Sequence, residues 1–446
     1  MSWSSIRSRS PMRRRSIVRT STRKGSQLSW STAASRSTME SCESRCTVVC
    51  FVAVATWRDA HRDPRRRRVR PAPREDGDRD GRAADGIAGD RCGALRRGRH
   101  RRSRGGPMTT RIREIDLHLE VPFTISRHTR TEKRVVLVEL ERDGRIARGE
   151  ASPDPYFGES SESVRADLES ALELLPDDPL ALQELRLRLD ERFPHGGAAS
   201  CALDTLAHDR AAQSLGVPLY RMLGLDARRA PPTSFTIGLA EPEVMAERAA
   251  AAAERGFDIL KVKLGAANDV ALVRKIRERY RGRMTVDPNA AWDLRRAVRT
   301  IDSIVQYGIE FVEQPLPPQD LDGLAELHER SRLPIVVDES VVRATDVPKV
   351  AGIVNGINVK LQKCGGIAPA LELIAAAHAH GLKVMLGCRA AESSVAIAAA
   401  AHIAPLVDWA DLDGNLLVTD DPFVAVEVRQ GRFSYSERTG LGAIPR

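Results

Sequence analysis

From residue 231 onward the sequence repeats one pattern eight times, and this repeat constrains the fold more strongly than any other feature. Short apolar runs recur at steps of 22 to 26 residues, with an amphipathic helical stretch between consecutive runs. Eight strands that alternate with helices at one period predict a parallel βα barrel. A doubly wound open sheet is the alternative, but it would need a Gly-rich phosphate-binding turn, and the sequence has none. We therefore predict an α/β protein in which 231–414 forms a (β/α)7β TIM-like barrel.

Residues 108–230 show a different order of elements. Two strand-like segments come first, and the second ends in Asp-Gly, a turn signal. Three helical stretches follow, and the last of them ends at a glycine. Because strands followed by helices are typical of an α+β domain, we predict a separate domain over 108–230.

Residues 1–107 are strongly basic, with 27 of the 69 Lys and Arg residues but 10 of the 60 Asp and Glu residues. The net charge of +9 comes from this segment, since 108–446 carries a net charge of −8. The segment is Arg-rich and of low complexity, so we expect it to be disordered or to reflect a misassigned start, with translation beginning at Met108. An Arg-rich arm that binds nucleic acid is the alternative, but interleaved aromatic residues and a binding module are missing.

The sequence does not favour a membrane protein. The apolar run 46–57 is too short to cross a bilayer as a helix, and no small-residue cleavage site follows it. Cys42, Cys46 and Cys50 are regularly spaced, but no fourth ligand follows at zinc-finger spacing, so we interpret the spacing as chance. The cysteines after Met108 follow no pattern, as expected for free thiols in a reducing compartment. We expect a cytoplasmic protein without nucleic-acid or membrane partners.

Polar side chains stand at the C-terminal ends of the predicted strands, where barrel enzymes place their catalytic groups. Because parallel strands end at one rim, we expect these side chains to meet there. In chain order they are Lys261 and Lys263, Asp287 and Asn289, Glu313, Asp338, Lys360, and Asp411 and Asp413.

Asp287, Glu313 and Asp338 come from three consecutive strands. Three clustered carboxylates repel each other and would hold protons unless a cation lies between them. Ligation by oxygen atoms alone suits Mg²⁺, with Mn²⁺ as the alternative. Each acid alone could be a helix N-cap or a surface residue, but three at one level of a barrel predict a metal site.

Lys263 and Lys360 flank this predicted metal site from opposite sides. An amine is an effective base only if its pKa falls towards neutrality, and we expect the ammonium of Lys261 and the cation to lower it. Either lysine alone would be interpreted more simply as extending to solvent. Two bases on opposite faces of a substrate predict a 1,1-proton transfer at the carbon α to a carboxylate, in which one lysine removes the proton and the other delivers a proton to the opposite face.

These residues resemble the motifs of the enolase superfamily, muconate-lactonizing subgroup. The segments "KVK", "DPN", "EQP", "DES" and "KLQKCGG" occur in the order and spacing of that family, and the resemblance covers 108–446. It implies that 108–230 is a capping domain to which 415–446 returns. It also implies electrostatic support of the reaction by Lys261 and Asn289, and one Mg²⁺ in each subunit. We expect a homo-oligomer.

The segment "DLDG" is similar to that of the dipeptide epimerases, in which an Asp pair is expected to bind the free α-ammonium of the substrate. The resemblance implies this role for Asp411 and Asp413, although Asp-Gly is also a common turn signal. The segment around Arg127 and Arg130 resembles the specificity loop of the Ala-Glu epimerases of murein peptide recycling. Either arginine would then bind the distal carboxylate of the Glu residue, unless both only solvate a loop.

Gly387 and Cys388 match the family and would let the backbone approach the substrate. Arg389 departs from it, because an apolar residue is expected there, and this added cation could alter the dipeptide preference. N-succinylamino acid racemases, o-succinylbenzoate synthases and cycloisomerases share the lysines and the metal site and stay open as alternatives. Their substrates have no free ammonium for the Asp pair. A nucleic-acid-binding protein with a degenerate barrel is a remote alternative.

The change of pattern at Met108 can be tested. A chain that begins at Met108 should fold and keep the activity of the full chain, because 1–107 shows no pattern able to bury a core. Soluble yield, circular dichroism and turnover compare the two chains. If the shorter chain alone is insoluble or inactive, the idea of a misassigned start is wrong.

Overall fold

The computed structural model describes residues 108–446. The predictions for 1–107, including those for Cys42, Cys46 and Cys50, lie outside the described residues. The strands are β1 Thr109–Thr124, β2 Thr129–Arg142, β3 Arg145–Ala151, β4 Phe235–Ile237, β5 Ile259–Lys263, β6 Arg283–Asp287, β7 Ile309–Glu313, β8 Ile335–Val337, β9 Gly356–Lys360, β10 Lys383–Gly387, β11 Trp409–Asp411, β12 Phe423–Val424, β13 Glu427–Arg429, β14 Arg432–Ser434 and β15 Ile444–Pro445. The α-helices are α1 Ser161–Ala171, α2 Leu182–Arg192, α3 Ala198–Leu215, α4 Leu219–Met222, α5 Pro242–Glu254, α6 Asp269–Arg279, α7 Leu294–Ile304, α8 Leu321–Arg330, α9 Val347–Val350, α10 Leu361–Cys364, α11 Ile367–Ala379 and α12 Ser394–Ile403.

Strands β4 to β11 form one parallel sheet in chain order. The two end strands meet through a bridge between Thr233 and Ala410, and the Ser234 amide donates to the Ala410 carbonyl at 2.9 Å. At least one helix lies in each of the seven connections between these strands. The predicted (β/α)7β barrel is therefore confirmed.

Alternation along β5 explains its two buried lysines. Leu260 and Val262 belong to the large apolar core of the barrel. Successive side chains of a strand point to opposite faces, so Lys261 and Lys263 point together to the other face, the barrel interior. Both lysines are buried.

The barrel interior is layered, because the inward-facing residues of neighbouring strands lie at similar heights. An apolar layer contains Phe311, Val336 and Met385, with Trp409 packed against it. Two residues further along the same four strands stand Glu313, Asp338, Gly387 and Asp411. The layer nearest the C-terminal strand ends is therefore polar, and it lies on an apolar floor.

Strands β1 to β3 form an antiparallel sheet, and α1, α2 and α3 pack against it around a second apolar core. Helix α3 crosses β3 at very short range, since a Cβ atom at Gly149 would lie 1.9 Å from the Ala202 carbonyl oxygen. A glycine is required at this crossing. We call this unit the cap.

The cap is attached to the barrel by buried hydrogen bonds. The Gln362 side chain accepts from the Ser152 amide at 3.0 Å and donates to the Glu150 carbonyl at 2.9 Å. The Glu150 carboxyl group accepts from the Ser393 amide at 3.0 Å and from the Ser393 hydroxyl. Since Gln362 follows β9 and Ser393 precedes α12, these bonds connect the cap to two neighbouring barrel units.

The C-terminal segment also contacts the cap. The Arg148 guanidinium donates to the Ala443 carbonyl at 3.0 Å, and the Leu441 amide donates to Asp209 at 2.8 Å. These are contacts that a returning tail would make, while the limits of the three predicted domains stay predictions. Within 108–446, no helix has the length and apolar character needed to cross a membrane.

Glu150 allows the junction of cap and barrel to be tested. Burial raises the pKa of its carboxyl group to about 8, from an ordinary value of about 4.3. Because the folded state then keeps a proton that the unfolded chain has lost, the free energy of unfolding should fall as the pH rises from about 5 to 8. Glu150→Gln keeps the shape and should lack this part of the pH dependence, roughly 1–3 kcal/mol. Urea denaturation at both pH values measures it, and parallel pH profiles would contradict the expectation.

Candidate active site

One cleft lies between the cap and the C-terminal ends of the barrel strands. Asp287 and Glu313 are fully buried below it. The polar residues that line it include Lys261, Lys263, Asn289, Asp338, Lys360, Lys363, Asp411 and Asp413 from the barrel and Arg127, Arg130, Lys133 and Asp154 from the cap.

Lys261 is at the centre of the polar layer. Its ammonium nitrogen lies 2.7 Å from Glu313 Oε2, 2.8 Å from Asp411 Oδ2 and 3.3 Å from Asp287 Oδ2. Burial by itself would lower the pKa of Lys261, but these carboxylates raise it well above the ordinary value. Lys261 therefore stays positively charged and holds together acids from three strands.

Lys263 binds the neighbouring strand. Its ammonium group donates to Asp287 Oδ2 at 2.6 Å, and the Asn289 amide donates to Asp287 Oδ1 at 2.8 Å. Asn289 has a φ of 48°, a left-handed conformation that asparagine adopts more readily than most residues. Burial would raise the pKa of Asp287, but Lys263 and Lys261 lower it. The turn after β6 thus directs a backbone donor back towards the carboxylate.

Asp338 is held by two lysines, which lie on the side of the barrel opposite to Lys263. Lys360 donates to its Oδ2 atom at 2.7 Å and Lys363 to its Oδ1 atom at 2.6 Å. Burial would raise the pKa of Asp338, but the two lysines lower it. Because β5 and β9 are four strands apart in an eight-stranded barrel, Lys263 and Lys360 approach the layer from opposite sides.

The expected fall in the lysine pKa depends on a bound cation and stays a prediction. Burial and the ammonium of Lys261 act to lower the pKa of Lys360, but Asp338 outweighs them and raises it. The cause is that the lysine is already paired with a carboxylate. Lys360 can release its proton near neutral pH only if another positive charge takes over Asp338.

Glu313 is the least satisfied acid of the layer. Its Oε1 atom accepts from Asn358 Nδ2 at 2.8 Å. Within 108–446 its Oε2 atom accepts no hydrogen bond, although the Lys261 ammonium nitrogen lies 2.7 Å away as an ion-pair partner. Burial and the neighbouring Asp287 raise the pKa of Glu313 to about 7. A buried carboxylate oxygen without a donor is one that a further cation could satisfy.

The predicted metal ligands Asp287, Glu313 and Asp338 come from adjacent strands, β6 to β8. In the part of the chain that the structure describes, no three acidic, histidine or cysteine side chains are grouped closely enough to hold a metal ion as they stand. Ammonium groups lie among the carboxylates instead and balance their charge. The donors are buried oxygen atoms, and one of them is unbonded, so their chemistry fits a hard divalent cation.

Asp411 and Asp413 lie beside Lys261 on the last barrel strand and the turn after it. Asp411 accepts from the Ser234 hydroxyl at 2.6 Å, and Asp413 accepts from the Thr236 amide at 2.6 Å. Burial and the charge of Asp411 raise the pKa of Asp413 to about 7. Burial would also raise the pKa of Asp411, but Lys261 lowers it. Both acids line the cleft and could meet a substrate cation there.

Arg127 and Arg130 lie on the cap side of the cleft, and each already has an acidic partner. Arg127 donates to Glu339 at 2.9 Å and lies over the Tyr156 ring at 4.2 Å. Arg130 lies 3.5 Å from Asp154. The structure therefore brings both arginines to the cleft without leaving either unpaired.

Gly387 ends strand β10, and Cys388 follows it directly. A Cβ atom at Gly387 would lie 2.6 Å from the Asn358 side-chain oxygen, so the glycine makes room for that amide. The Cys388 amide donates to the Asp411 carbonyl at 3.0 Å. Cys388 lines the cleft, whereas Gly387 is buried beneath it.

Residues of the site that carried no predicted role include Gln314, Glu339, Asn358 and Lys363 around the charged layer, and Lys133 and Asp154 on the cap. Gln314 accepts from the Asp338 amide at 2.8 Å and so orients the turn that carries this acid. Gln314 and Lys363 belong to the motifs "EQP" and "KLQKCGG", so the spacing of these motifs could have indicated them. Glu339 contacts a residue 212 positions away, and no local pattern reveals such a contact.

Known protein families match both parts of the chain. Residues 108–224 match the mandelate racemase / muconate lactonizing enzyme N-terminal domain, and residues 244–446 match the enolase C-terminal domain-like family. The chain belongs to the enolase superfamily. The resemblance seen in the sequence is therefore confirmed.

Individual relatives of the superfamily differ in substrate. An L-Ala-D/L-Glu epimerase from Bacteroides thetaiotaomicron is 39% identical over 76% of this chain and 88% of that protein. A dipeptide epimerase from Enterococcus faecalis, solved with Mg and L-Leu-L-Tyr, is 32% identical with a TM-score of 0.72, over 75% of this chain and 98% of the other. An N-succinyl Arg/Lys racemase from Bacillus cereus is 28% identical with a TM-score of 0.70, over 76% of this chain and 95% of the racemase. The side chains of the site must therefore decide between substrate classes.

Lys363 allows the charge balance of the layer to be tested. Besides Asp338, it donates to the carbonyl groups of Asn358 at 3.0 Å and Val341 at 3.2 Å. Lys363→Met should lower the free energy of unfolding by roughly 3–5 kcal/mol, because it leaves a buried carboxylate short of a partner. Lys349→Ala, which breaks an exposed pair, should cost less than about 1 kcal/mol. Equally small losses in urea denaturation would contradict this role of Lys363.

Proposed function

We propose that this protein is a dipeptide epimerase that inverts the α-carbon of the second residue, with L-Ala-D/L-Glu dipeptides as its preferred substrates. The observation that carries the proposal is the placement of Lys263 and Lys360 on facing strands, with Asp411 and Asp413 in the same cleft. Facing amines suit a two-base proton transfer. A pair of carboxylates suits the free ammonium of a dipeptide.

We infer that Asp287, Glu313 and Asp338 bind Mg²⁺, with Mn²⁺ as the alternative. The buried oxygen donors and the unbonded Oε2 atom of Glu313 support this inference. The Enterococcus faecalis relative was solved in complex with Mg and a dipeptide. When bound, the cation would stabilise the negative charge that develops on the substrate carboxylate.

The two lysines are inferred to move protons at the substrate α-carbon, each serving one epimer. Lys263 and Lys360 are paired with Asp287 and Asp338, which are also inferred metal ligands. Loss of these partners would lower the proton affinity of both amines, as a base requires. Lys261 keeps a fixed positive charge beside them, and Asn289 holds Asp287 in place.

Asp411 and Asp413 are inferred to bind the substrate ammonium. This distinguishes the proposal from an N-succinylamino acid racemase, an o-succinylbenzoate synthase or a cycloisomerase, whose substrates lack that group. Arg127 or Arg130 is inferred to bind the carboxylate of the Glu side chain, in exchange for its present acidic partner. Gly387 and Cys388 supply the wall at the end of β10. A preference for Ala-Glu would serve murein peptide recycling in the cytoplasm, by a homo-oligomer.

Deuterium exchange tests the two-base proposal. In D₂O with Mg²⁺, the parent enzyme should incorporate deuterium at the second α-carbon of L-Ala-L-Glu and of L-Ala-D-Glu. Lys263→Ala should stop the exchange in one epimer and Lys360→Ala in the other, because each amine faces one side of the carbon. Epimerisation should fall roughly 10²–10⁴-fold in both variants. Mass spectrometry and chiral chromatography give the two readouts.

Three controls make this test specific. Lys383→Ala removes an exposed lysine at the opposite end of a barrel strand and should not change the rate. EDTA should abolish turnover, and turnover in chelator would refute the metal assignment. N-acetyl-L-Ala-L-Glu should react roughly ten- to a hundredfold more slowly, since it lacks the ammonium. Equal rates on both substrates would favour the racemase alternative, and near-parent epimerisation by either lysine variant would refute the two-base mechanism.

A further inference from the structure

Two buried cationic side chains in the wall of the cleft have nitrogen atoms without hydrogen-bond partners among residues 108–446. These atoms are Lys133 Nζ, on cap strand β2, and Arg389 Nη2, just after barrel strand β10. Each residue is 6% exposed, and both line the cleft. A buried donor on a charged group is costly to leave unbonded. The pair therefore points to an acceptor that the protein itself does not supply.

The acidic residues around Arg389 bind other atoms of its guanidinium group and leave Nη2 without a partner in the described residues. Its Nη1 atom donates to Glu159 at 3.0 Å and to the Ser152 carbonyl, while its Nε atom lies 3.9 Å from Asp154. Glu392 accepts from the backbone amide of Arg389 at 2.9 Å. The guanidinium group is thus held in one orientation by fixed partners, and its remaining edge carries the free Nη2 donor.

Lys133 is less well compensated. In the described part of the chain, its ammonium nitrogen has no hydrogen-bond partner. Burial and the nearby charge of Arg389 together lower the pKa of Lys133 to about 8, although the charges of Glu392 and Asp154 act in the opposite direction. Two positive groups that disfavour each other are therefore kept together at the edge of the cleft. An anionic group between them would stabilise both.

The position of Arg389 indicates which part of a dipeptide it would meet. It follows Gly387 by two residues, and Gly387 pairs in register with Asp411 of β11. The proposed function assigns the substrate ammonium to Asp411 and Asp413. Arg389 thus stands next to the substrate residue that carries the ammonium, whereas Arg127 pairs with Glu339, near β8.

We propose that Lys133 and Arg389 bind the side-chain carboxylate of the first residue when a dipeptide carries one there, so that a first Glu is preferred over its neutral isostere Gln. This inference rests on the proposed function. A carboxylate can accept from both nitrogen atoms at once, and guanidinium and ammonium donors form strong charge-assisted hydrogen bonds with it. The first residue would then be held at both its ammonium and its side chain.

An isosteric pair of substrates tests this proposal. L-Glu-L-Glu and L-Gln-L-Glu differ at the first side chain only in charge and hydrogen-bonding type. The parent enzyme should exchange the second α-proton of L-Glu-L-Glu with a kcat/KM roughly ten- to a hundredfold higher than that of L-Gln-L-Glu, mainly through KM. L-Ala-L-Glu and L-Ala-L-Gln, measured in the same assay, report the charge preference at the second position.

Variants assign the preference to the two side chains. Lys133→Met and Arg389→Met should each reduce the ratio of Glu-first to Gln-first kcat/KM towards one, while Arg389→Lys should keep part of it. Lys383→Met, at the opposite end of β10, is the matched control and should keep the full ratio. Thermal unfolding of each variant shows whether it is folded, and the comparison within the parent enzyme stands even if a variant does not fold.

The outcomes separate this inference from the proposed function. Absence of exchange in every dipeptide would overturn the proposed function and this inference with it. Exchange without a preference for Glu-first substrates would overturn this inference alone. This inference alone would also be overturned if folded variants kept the parent ratio of Glu-first to Gln-first kcat/KM. Lys133 and Arg389 would then only fasten the cap to the barrel. A further outcome is that the variants change only the ratio of kcat/KM for L-Ala-L-Glu to that for L-Ala-L-Gln. Lys133 and Arg389 would then bind the carboxylate of the second residue, which would also contradict the proposal.

Discussion

Charge balance inside the barrel is the constraint on which the rest of the site depends. Ionised groups that lose contact with water are costly unless opposite charges and hydrogen bonds compensate them. Lys261 compensates three carboxylates at once, and Asp338 is held by two further lysines. Each acid of the layer therefore depends on an ammonium group that comes from another strand. The positions of the charged atoms follow from this mutual dependence rather than from any one residue.

The barrel makes such a layer feasible because its lower interior is filled with apolar side chains. Phe311 and Trp409 pack with their ring centres 4.8 Å apart, directly below the strand positions that carry Glu313 and Asp411. Because this floor is apolar, the charges above it interact in a low local dielectric, which strengthens their interactions. The open side faces the cleft and the cap. A molecule in the cleft would thus meet the charged layer from one direction, and Lys263 and Lys360 approach that layer from opposite sides.

The sequence predicted the barrel and the members of the charged layer well, because both follow from short-range patterns. The repeat of strands and helices sets the topology, and alternation within a strand decides that Lys261 and Lys263 point inward together. The pairing of charges could not be predicted in the same way. It depends on distances between strands, as the rise in the Lys360 pKa caused by Asp338 shows. The contacts of Arg127 with Glu339 and of Arg389 with Glu159 join distant segments and are equally invisible to local patterns.

The proposed reaction and the proposed specificity lie on different parts of the molecule, and the physics of burial explains why. A change in the charged layer would leave a buried ion without its partner, so this layer tolerates little variation. Lys133 and Arg389 lie where the cap meets the barrel rim, and each is supplied by a different unit. Their free nitrogen atoms take no part in balancing the layer below. Substitutions at these two positions can therefore change which side chain a substrate presents without disturbing the lysines and acids that would act on its α-carbon.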